Sequence, residues 1–212
     1  MKQITFFLTA CDRPDLLKRT LESFVKFNTY PIKEAIIIED SGKTGINDFA
    51  YEILKDIPLK IIYNEKNLGM IKSTLKGIKE IKTDLVFHCE DDWCFYKKGF
   101  IEDSIKILEM DSQVTLVSLL NYKKNKLLID ERKKGYYYSK INKKSGGYTT
   151  NPSLRYIKIY EPYNIFESEG DISLYYINKG MRIAFTLNSK GYVGHTGNRR
   201  SMYRKYTETN KI

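Results

Sequence analysis

The feature that most constrains the fold is a regular alternation of short apolar runs with amphipathic stretches through the first 120 residues. Such alternation is typical of βαβ units, which build a largely parallel sheet covered by helices on both faces. The predicted strands are the apolar runs 4–9, 35–38, 59–63, 85–89 and 115–120. The predicted helices begin near residues 14, 47, 71 and 100, the first of them with Leu17, Leu21, Phe24 and Val25 on one face. The sequence therefore predicts an α/β fold.

A chain of 212 residues has room for one globular domain whose core is large enough to be stable without disulfides. Its three cysteines, Cys11, Cys89 and Cys94, lack the spacing of a secreted disulfide scaffold. No run approaches ~18 consecutive apolar residues, and the apolar start is typical of a strand, so neither a membrane span nor a signal peptide is predicted. We expect a single-domain protein of a reducing, cytoplasmic compartment.

Charge is distributed unevenly along the chain. The net charge is +10 overall, but it is −2 over residues 1–120, +9 over residues 121–160 and +5 over residues 190–212. A basic patch suits phosphates or an anionic membrane surface. Nucleic acid is disfavoured as a partner because the tyrosines at 136–138 form a block without interleaved arginines.

The regular rhythm stops at Asn121. Lysines, a glycine pair at 146–147 and tyrosine clusters predict hairpins and a mobile basic loop as far as about Asn151. A helix over residues 171–178, ended by Gly180, and a strand over residues 182–187 follow. The second half is therefore expected to complete the fold with less regular structure.

The carboxyl end of each of the first four predicted strands carries polar or acidic residues. In an open α/β sheet these ends form the edge at which ligands bind. In chain order they are Cys11-Asp12-Arg13, Glu39-Asp40-Ser41-Gly42, Asn64 to Gly69, and Glu90-Asp91-Asp92. One such end by itself is better explained as a solvated turn, but four in succession favour a polar binding site.

Three consecutive carboxylates directly after a buried strand repel one another, and a divalent cation would offset that repulsion. Oxygen ligands are those that Mg²⁺ and Mn²⁺ prefer, so Glu90-Asp91-Asp92 is the best metal candidate. Mg²⁺ usually takes only one or two protein carboxylates and completes its shell with phosphate oxygens and water. A metal here implies a phosphorylated ligand.

Other ligand motifs do not fit. The sequence at 42–44 imitates the end of a Walker A loop, but the required earlier glycine is Ile37, inside a strand. The loop after the first strand lacks the glycines of a dinucleotide fingerprint. Zinc is disfavoured because the adjacent His88 and Cys89 point to opposite faces of one strand, and Cys94 has no partner cysteine at ligand spacing.

The segments around the first four strand ends, in this order and at this spacing, resemble the GT-A-fold nucleotide-sugar glycosyltransferases, in particular their family 2. The resemblance extends from Ile4 to about Ser201, and it is carried by Phe6 to Pro14, Ile38 to Gly42, Asn64 to Gly69, and Asp84 to Asp92. It implies a single-domain GT-A (Rossmann-like) three-layer sandwich with a central, mostly parallel sheet. Residues 1–120 would form a nucleotide-binding half and residues 121–212 an acceptor-binding half.

For the first half, the resemblance implies a site for a nucleoside diphosphate and a divalent cation, Mn²⁺ or Mg²⁺. The acidic triplet is similar to the family's DxD-type motif, with Asp92 as the metal ligand and Glu90 or Asp91 facing the ribose or diphosphate. The family usually has Asp where Glu90 stands. The implied nucleotide contacts are Ala10, Asp12, Arg13, Asp40, Asn67, Gly69, Glu90 and Asp91.

For the later helix, the resemblance implies the catalytic base. The segment Glu167 to Asp171 resembles the family's acidic motif, which supplies this base. Counting back from Gly180 favours Glu169, with Asp171 as the alternative.

The segment 191–197 resembles the family's late His-x-Gly element, whose imidazole can join the metal shell. The implied second metal ligand is His195. Arg199 and Arg200 extend the element with charge that would pair with the diphosphate.

The implied reaction is that of a hexosyltransferase, which moves a sugar from a nucleoside diphosphate to an acceptor hydroxyl with inversion. UDP is the favoured nucleotide. The acceptor would be a glycan or a lipid- or protein-linked hydroxyl. Peripheral contact with the inner membrane face is an expectation from the basic stretch. Two other functions stay open. A sugar nucleotidyltransferase usually carries a glycine-rich basic loop after the first strand, which this chain lacks. A catalytically degenerate nucleotide- or glycan-binding module, or a surface scaffold, would show no metal-dependent nucleotide binding.

Overall fold

The computed structural model describes residues 1–122, 129–142 and 144–197. The strands are β1 Ile4–Ala10, β2 Glu34–Glu39, β3 Leu59–Tyr63, β4 Leu85–Glu90, β5 Trp93–Phe95, β6 Val114–Ser118, β7 Ile129–Lys133, β8 Tyr136–Ser139, β9 Ser153–Tyr156, β10 Arg182–Thr186 and β11 Val193–His195. The helices are α1 Pro14–Phe27, α2 Ala50–Ile53, α3 Met70–Ile78, α4 Phe100–Met110 and α5 Glu169–Asn178, with a 3-10 segment over Ile157–Asn164. The predicted alternation of strands and helices is confirmed.

Within the described residues, nine strands form one sheet in the order β3-β2-β1-β4-β9-β6-β10-β8-β7, and β11 pairs with β5 in a small second sheet. The stretch β3-β2-β1-β4 is parallel, as the βαβ pattern predicts. Beyond it the sheet is mixed, because β9 enters antiparallel between β4 and β6, and β8 pairs antiparallel with β10 and β7. The short connection from β7 to β8 permits only antiparallel pairing.

Two apolar clusters, one on each face of the sheet, make the three layers that the resemblance implied. One face packs against α1 and α4, and the other against α3, α5 and the 3-10 segment. On the first face Phe6 and Phe24 stack with ring centroids 4.0 Å apart, and Phe87 and Phe95 extend the aromatic cluster. Each such fully buried ring stabilises the fold by roughly 1.5–3 kcal/mol. Packing on both faces fixes the central strands and therefore the positions of their carboxyl ends.

Two local predictions differ from the structure. The helix predicted over residues 47–55 is only Ala50–Ile53, because the Asn47 side chain turns to β2 and donates to Glu39 Oε2 at 2.6 Å. Val25, predicted on the apolar face of α1, is 47% exposed. It lies about 80° around the helix from Leu17 at 3.6 residues per turn, and so falls at the edge of that face. None of the described helices combines the length and the apolarity that a membrane-spanning helix needs.

Candidate active site

The carboxyl ends of β1, β2 and β4 lie side by side at one edge of the sheet. β1 is the middle strand, and its last residue, Ala10, pairs with Glu39. Just beyond β1, the backbone N–H of Asp12 donates to Glu39 Oε1 at 2.9 Å. The N–H of Cys11 donates to Asp91 Oδ2 at 3.3 Å. The strand ends that the sequence singled out are thus joined by hydrogen bonds into one polar surface.

Helix α1 holds the turn that carries the acidic triplet. The Thr20 hydroxyl donates to the carbonyl of Asp91 at 2.7 Å and accepts from the N–H of Trp93 at 3.1 Å. One turn later, Ser23 Oγ accepts from the N–H of Phe95 at 3.0 Å. These bonds satisfy the backbone of a tight turn that would otherwise be buried without partners.

Arg13 lies against two of the three carboxylates. Its guanidinium forms a two-pronged pair with Asp91, in which Nε donates to Oδ2 at 3.1 Å and Nη2 contacts Oδ1. Its Nη1 donates to Asp92 Oδ2 at 2.8 Å. The Asp91 side chain is completely buried, and that of Arg13 is 12% exposed. The mutual repulsion that the sequence indicated is therefore offset in this structure by an arginine.

Strand β11 brings His195 to Asp92. Because β11 pairs with β5, His195 lies opposite Trp93, the neighbour of Asp92 in the chain. His195 Nε2 is 3.2 Å from Asp92 Oδ2, and the N–H of Thr196 donates to the Asp92 carbonyl at 2.7 Å. A Cβ at Gly197 would lie 2.4 Å from Asp92 Oδ2, so a larger residue there would cover this carboxylate.

This pair of groups fits the cation that the resemblance implied. One carboxylate oxygen and one imidazole nitrogen converge, and a hard divalent ion can take its other ligands from phosphate and water. In the part of the chain that the structure describes, no three His, Cys, Asp or Glu side chains are arranged to hold a metal by themselves. The arrangement suits an ion that binds together with a phosphorylated ligand.

Glu90 has a different environment from its two neighbours. Its Oε2 accepts a hydrogen bond from Trp93 Nε1 at 3.3 Å. Burial raises the pKa of Glu90 to about 8, and the negative charges of Asp92 and Glu169 add to the effect. In the ligand-free protein the carboxyl group is thus largely protonated at neutral pH and can donate a hydrogen bond.

We expect Glu90→Gln to be more stable than the wild type, by a margin that depends on pH. Because the pKa of Glu90 is higher in the folded chain than its ordinary value of 4.5, the unfolded chain releases a proton that the folded chain keeps. The melting-temperature advantage of the variant should grow as pH rises between these two values, by on the order of 5 °C, and then level off. Thermal melts across this range measure it, with the exposed Glu65→Gln as control. A constant advantage would contradict the raised pKa.

Asp40 holds the loop between β3 and α3. Its Oδ1 accepts from the N–H of Leu68 and from Asn64 Nδ2, both at 2.8 Å, and its Oδ2 accepts from the N–H of Gly69 at 2.9 Å. Asn67 Nδ2 donates back to the Asp40 carbonyl at 2.8 Å. Gly69 has φ +82°, a conformation that favours glycine. Asp40, Asn67 and Gly69, all predicted to bind the nucleotide, are therefore brought together, with the Asp40 carboxylate as the centre.

We expect Asp40→Ala to weaken nucleotide binding about tenfold and to lower the melting temperature. The change leaves two backbone N–H groups without their acceptor, each at a cost of ~1–3 kcal/mol. If the loop binds the nucleotide as predicted, turnover at saturating donor should fall less than KM rises, because a contact with the base is alike in the ground state and the transition state. Titration calorimetry with UDP and a thermal melt measure the two effects, with the exposed Asp56→Ala as control. A loss of kcat at unchanged nucleotide Kd would place Asp40 at the reacting centre instead.

Glu39 is a residue that the sequence analysis named among the polar strand ends without giving it a role. It is fully buried; Oε1 accepts from the N–H groups of Asp12 and Ser41 at 2.9 and 3.1 Å, and Oε2 accepts from Asn47 Nδ2 at 2.6 Å. Asp12 has φ +52°, and its carboxylate pairs with Lys43 at 2.5 Å. An acid as the last residue of an otherwise apolar strand is the signal that could have identified Glu39.

Glu169 lies at the start of α5, where Thr150 binds its carboxylate. Its Oε2 accepts from the N–H and the hydroxyl of Thr150, at 3.1 and 2.7 Å. Its charge is close enough to that of Glu90 to contribute to the raised pKa of Glu90. The carboxylate is thus held at the same edge of the molecule as the triplet, by a segment that follows the glycine pair.

Asp171 has different partners, and they are those of a helix cap. Its N–H donates to Ser168 Oγ at 3.1 Å, and the Ser168 hydroxyl donates to Asp171 Oδ2 at 2.6 Å. Lys144 Nζ pairs with Oδ1 at 2.6 Å. The hydrogen bond from Lys144 lowers the pKa of Asp171, whose side chain is 40% exposed. This arrangement satisfies free N–H groups at the start of α5.

Some predicted features lie outside the described residues. Arg199 and Arg200 are among them, so their contacts with a diphosphate stay a prediction. Of the lysine-rich stretch, the structure describes the hairpin of β7 and β8 and the segments that follow it.

Comparison with known proteins gives the family. Residues 5–176 match Glycosyl transferase family 2. The uncharacterized glycosyltransferase YwdF of Bacillus subtilis (strain 168) is 27% identical over 165 residues, which are 76% of this chain and 56% of YwdF.

Two solved structures show the same fold at low sequence identity. The mannosyltransferase PcManGT from Pyrobaculum calidifontis, in complex with GDP-Man and Mn²⁺, superposes with a TM-score of 0.64 at 12% identity, over 90% of this chain and 59% of that protein. GalNAc-T7 with UDP, GalNAc and Mn²⁺ gives 0.63 at 14% identity, over 92% and 44%. The chain thus spans about half the length of the relatives it matches, and the predicted GT-A fold is confirmed. Since the family match covers most of the chain, from β1 into α5, the chain belongs to glycosyl transferase family 2.

Proposed function

We propose that this chain is a metal-dependent, inverting glycosyltransferase that moves a hexose from a nucleoside-diphosphate sugar to an acceptor hydroxyl. The observation that carries the proposal is that the Asp92–His195 pair and Glu169 lie at one edge of the sheet, because β9 pairs with β4 and Thr150, just before β9, binds the Glu169 carboxylate. A general base must be ionised and must reach the acceptor hydroxyl, and the two hydrogen bonds donated by Thr150 hold the Glu169 carboxylate in place.

The nucleotide-binding half would be residues 1–120 and the acceptor-binding half residues 121–212. Asp40 with its loop, the turn after β1 and Arg13 would bind the base, ribose and diphosphate. The solved structures with GDP-Man and with UDP support a nucleotide donor, and UDP is our first choice of base. Arg199 and Arg200 would add positive charge for the diphosphate.

In the proposed reaction the acceptor hydroxyl attacks the anomeric carbon. Glu169 takes the hydroxyl proton, a new carbon–oxygen bond forms, and the bond to the diphosphate breaks on the opposite face, which inverts the anomeric centre. Arg13, once it gives up its contact with Asp92, could donate to the departing diphosphate. A divalent ion held by Asp92 and His195 would supply charge neutralisation for the diphosphate when bound.

The acceptor would be a glycan or a lipid- or protein-linked hydroxyl. The hairpin of β7 and β8 presents Arg132 and Lys134 as exposed cations, which favour an anionic acceptor or peripheral contact with a membrane surface. No feature of the described residues favours nucleic acid over these partners.

Titration calorimetry with UDP, with and without Mn²⁺, tests the proposal first. A metal-dependent gain in UDP affinity is expected, whereas a surface scaffold would show none. Nucleotide release from a panel of UDP-, GDP- and dTDP-sugars then identifies the donor. Tight, metal-dependent binding without turnover of any donor would favour the degenerate binding module, and release of pyrophosphate from a nucleoside triphosphate would favour the nucleotidyltransferase.

A further inference from the structure

Arg155, on β9, is a completely buried cation that the proposed reaction does not use. It lies opposite Val86 of β4 in the middle of the sheet and has no exposed surface. Its guanidinium is packed between two aromatic rings, 4.9 Å from the centroid of Tyr148 and 5.5 Å from that of Tyr160. Burying a cation costs more than burying an apolar side chain of similar size, so core packing by itself does not call for an arginine here.

The hydrogen bonds of Arg155 point to one segment of the chain. Its Nη2 donates to the carbonyl of Thr149 at 2.9 Å and to that of Asn151 at 3.4 Å, and it contacts Ser153 Oγ. Its Nη1 contacts the Tyr148 hydroxyl. The planar guanidinium holds Nη2 at the two carbonyls and Nη1 at the Tyr148 hydroxyl at the same time, whereas the three donors of a lysine ammonium share a single nitrogen and cannot span both places.

The two carbonyls flank Thr150, the residue that holds Glu169. The N–H and hydroxyl of Thr150 both donate to Glu169 Oε2. Arg155 therefore binds the backbone carbonyls immediately before and after Thr150, which orients the Glu169 carboxylate. The negative charge of Glu169 is also close enough to act on the guanidinium.

We infer that Arg155 is a positioning residue: through the carbonyls of Thr149 and Asn151 it sets the place of Thr150 and thereby aims the carboxylate of Glu169 at the acceptor. That the carboxylate points to an acceptor rests on the proposed function. The orientation of Glu169 by Thr150 can be measured separately. A misplacement of about 1 Å in a reacting group can reduce turnover on the order of 10²-fold.

Arg155→Lys tests this, because it keeps the positive charge and replaces the planar guanidinium, with its two terminal nitrogens, by a single ammonium group. We expect faster amide hydrogen exchange at Thr150 in the ligand-free protein, with unchanged exchange at the β1 amides of Phe7 and Leu8. Turnover of a UDP-sugar donor is measured by the release of UDP. We expect kcat to fall about 10- to 100-fold and the KM for the donor to stay within about twofold. Arg182→Lys is the matched control: that arginine also binds a carbonyl, of Ser139, and stacks on a tyrosine, but on β10.

Each outcome decides the matter. Wild-type exchange at Thr150 would overturn the inference, and so would a wild-type kcat in an active enzyme. Faster exchange in all strands alike would also overturn it, since that indicates a general loss of stability. If Arg155→Lys does not fold, Arg155→Gln replaces it, because a neutral amide removes the buried cation and breaks the contact with both carbonyls of Thr149 and Asn151. Unchanged Thr150 exchange in that variant overturns the inference, and selectively faster exchange supports it. If no sugar nucleotide is turned over by the wild type while Thr150 exchange depends on Arg155, the proposed function fails and the positioning role stands.

Discussion

Glu169→Gln is expected to reduce turnover ~10²- to 10⁴-fold, the usual contribution of a general base. Glutamine is nearly the same size, and its carbonyl oxygen can still accept from Thr150, so the fold should be unchanged. Because the proposed mechanism puts this residue beside the acceptor and not the nucleotide, the Kd for UDP should change little. Steady-state kinetics with the identified donor and titration with UDP separate the two quantities.

Asp171→Asn is the matched comparison. Its carboxylate accepts from Ser168 and pairs with Lys144, so this variant should lose a little of the stability of the helix cap and keep most of its turnover. A large loss of kcat in Asp171→Asn alone would make Asp171 the base. If both variants turn over normally, the acidic segment only caps α5 and the inverting mechanism loses its base.

Asp92→Asn is expected to abolish the metal-dependent gain in UDP affinity and to bring turnover down to background. The variant replaces the Asp92 carboxylate, which lies beside the His195 imidazole, by a neutral amide. An amide binds a hard divalent cation more weakly than a carboxylate because it lacks the negative charge. Titration with Mn²⁺ and UDP together measures the binding without any need for an acceptor. Full metal-dependent binding by the variant would show that the ion is held elsewhere.

Asp91→Asn provides the contrast for Asp92→Asn. Asp91 is buried and carries the two-pronged pair with Arg13, so breaking it leaves a largely buried cation with fewer partners, at a cost of ~3–5 kcal/mol. We therefore expect a marked drop in melting temperature for Asp91→Asn and a smaller one for Asp92→Asn, in which Arg13 keeps Asp91. Repulsion among the three carboxylates predicts that Asp92→Asn holds or raises the stability of the metal-free protein, but the hydrogen bond from Arg13 to Asp92 favours a small loss instead.

The sequence by itself determined the first half of the fold and the place of the candidate site. Apolar runs with amphipathic stretches between them specify parallel strands, and the carboxyl ends of parallel strands must meet at one edge. The acidic triplet, Asp40 and its loop could therefore be assigned to one surface from their positions after strands. Glu169 was predicted as the base from the family resemblance, and that role stays a prediction; in the structure its carboxylate is bound by Thr150.

Only the tertiary structure decided which groups touch. Arg13 and Asp91 are 78 positions apart in the chain, and no local pattern relates them. His195 reaches Asp92 because β11 pairs with β5, and Arg155 reaches the segment around Thr150 because β9 enters the sheet antiparallel. Local periodicity encodes which face of an element is buried, but the partner of a polar side chain depends on strand order and on the angle at which distant segments pack, so those contacts become visible only in the folded chain.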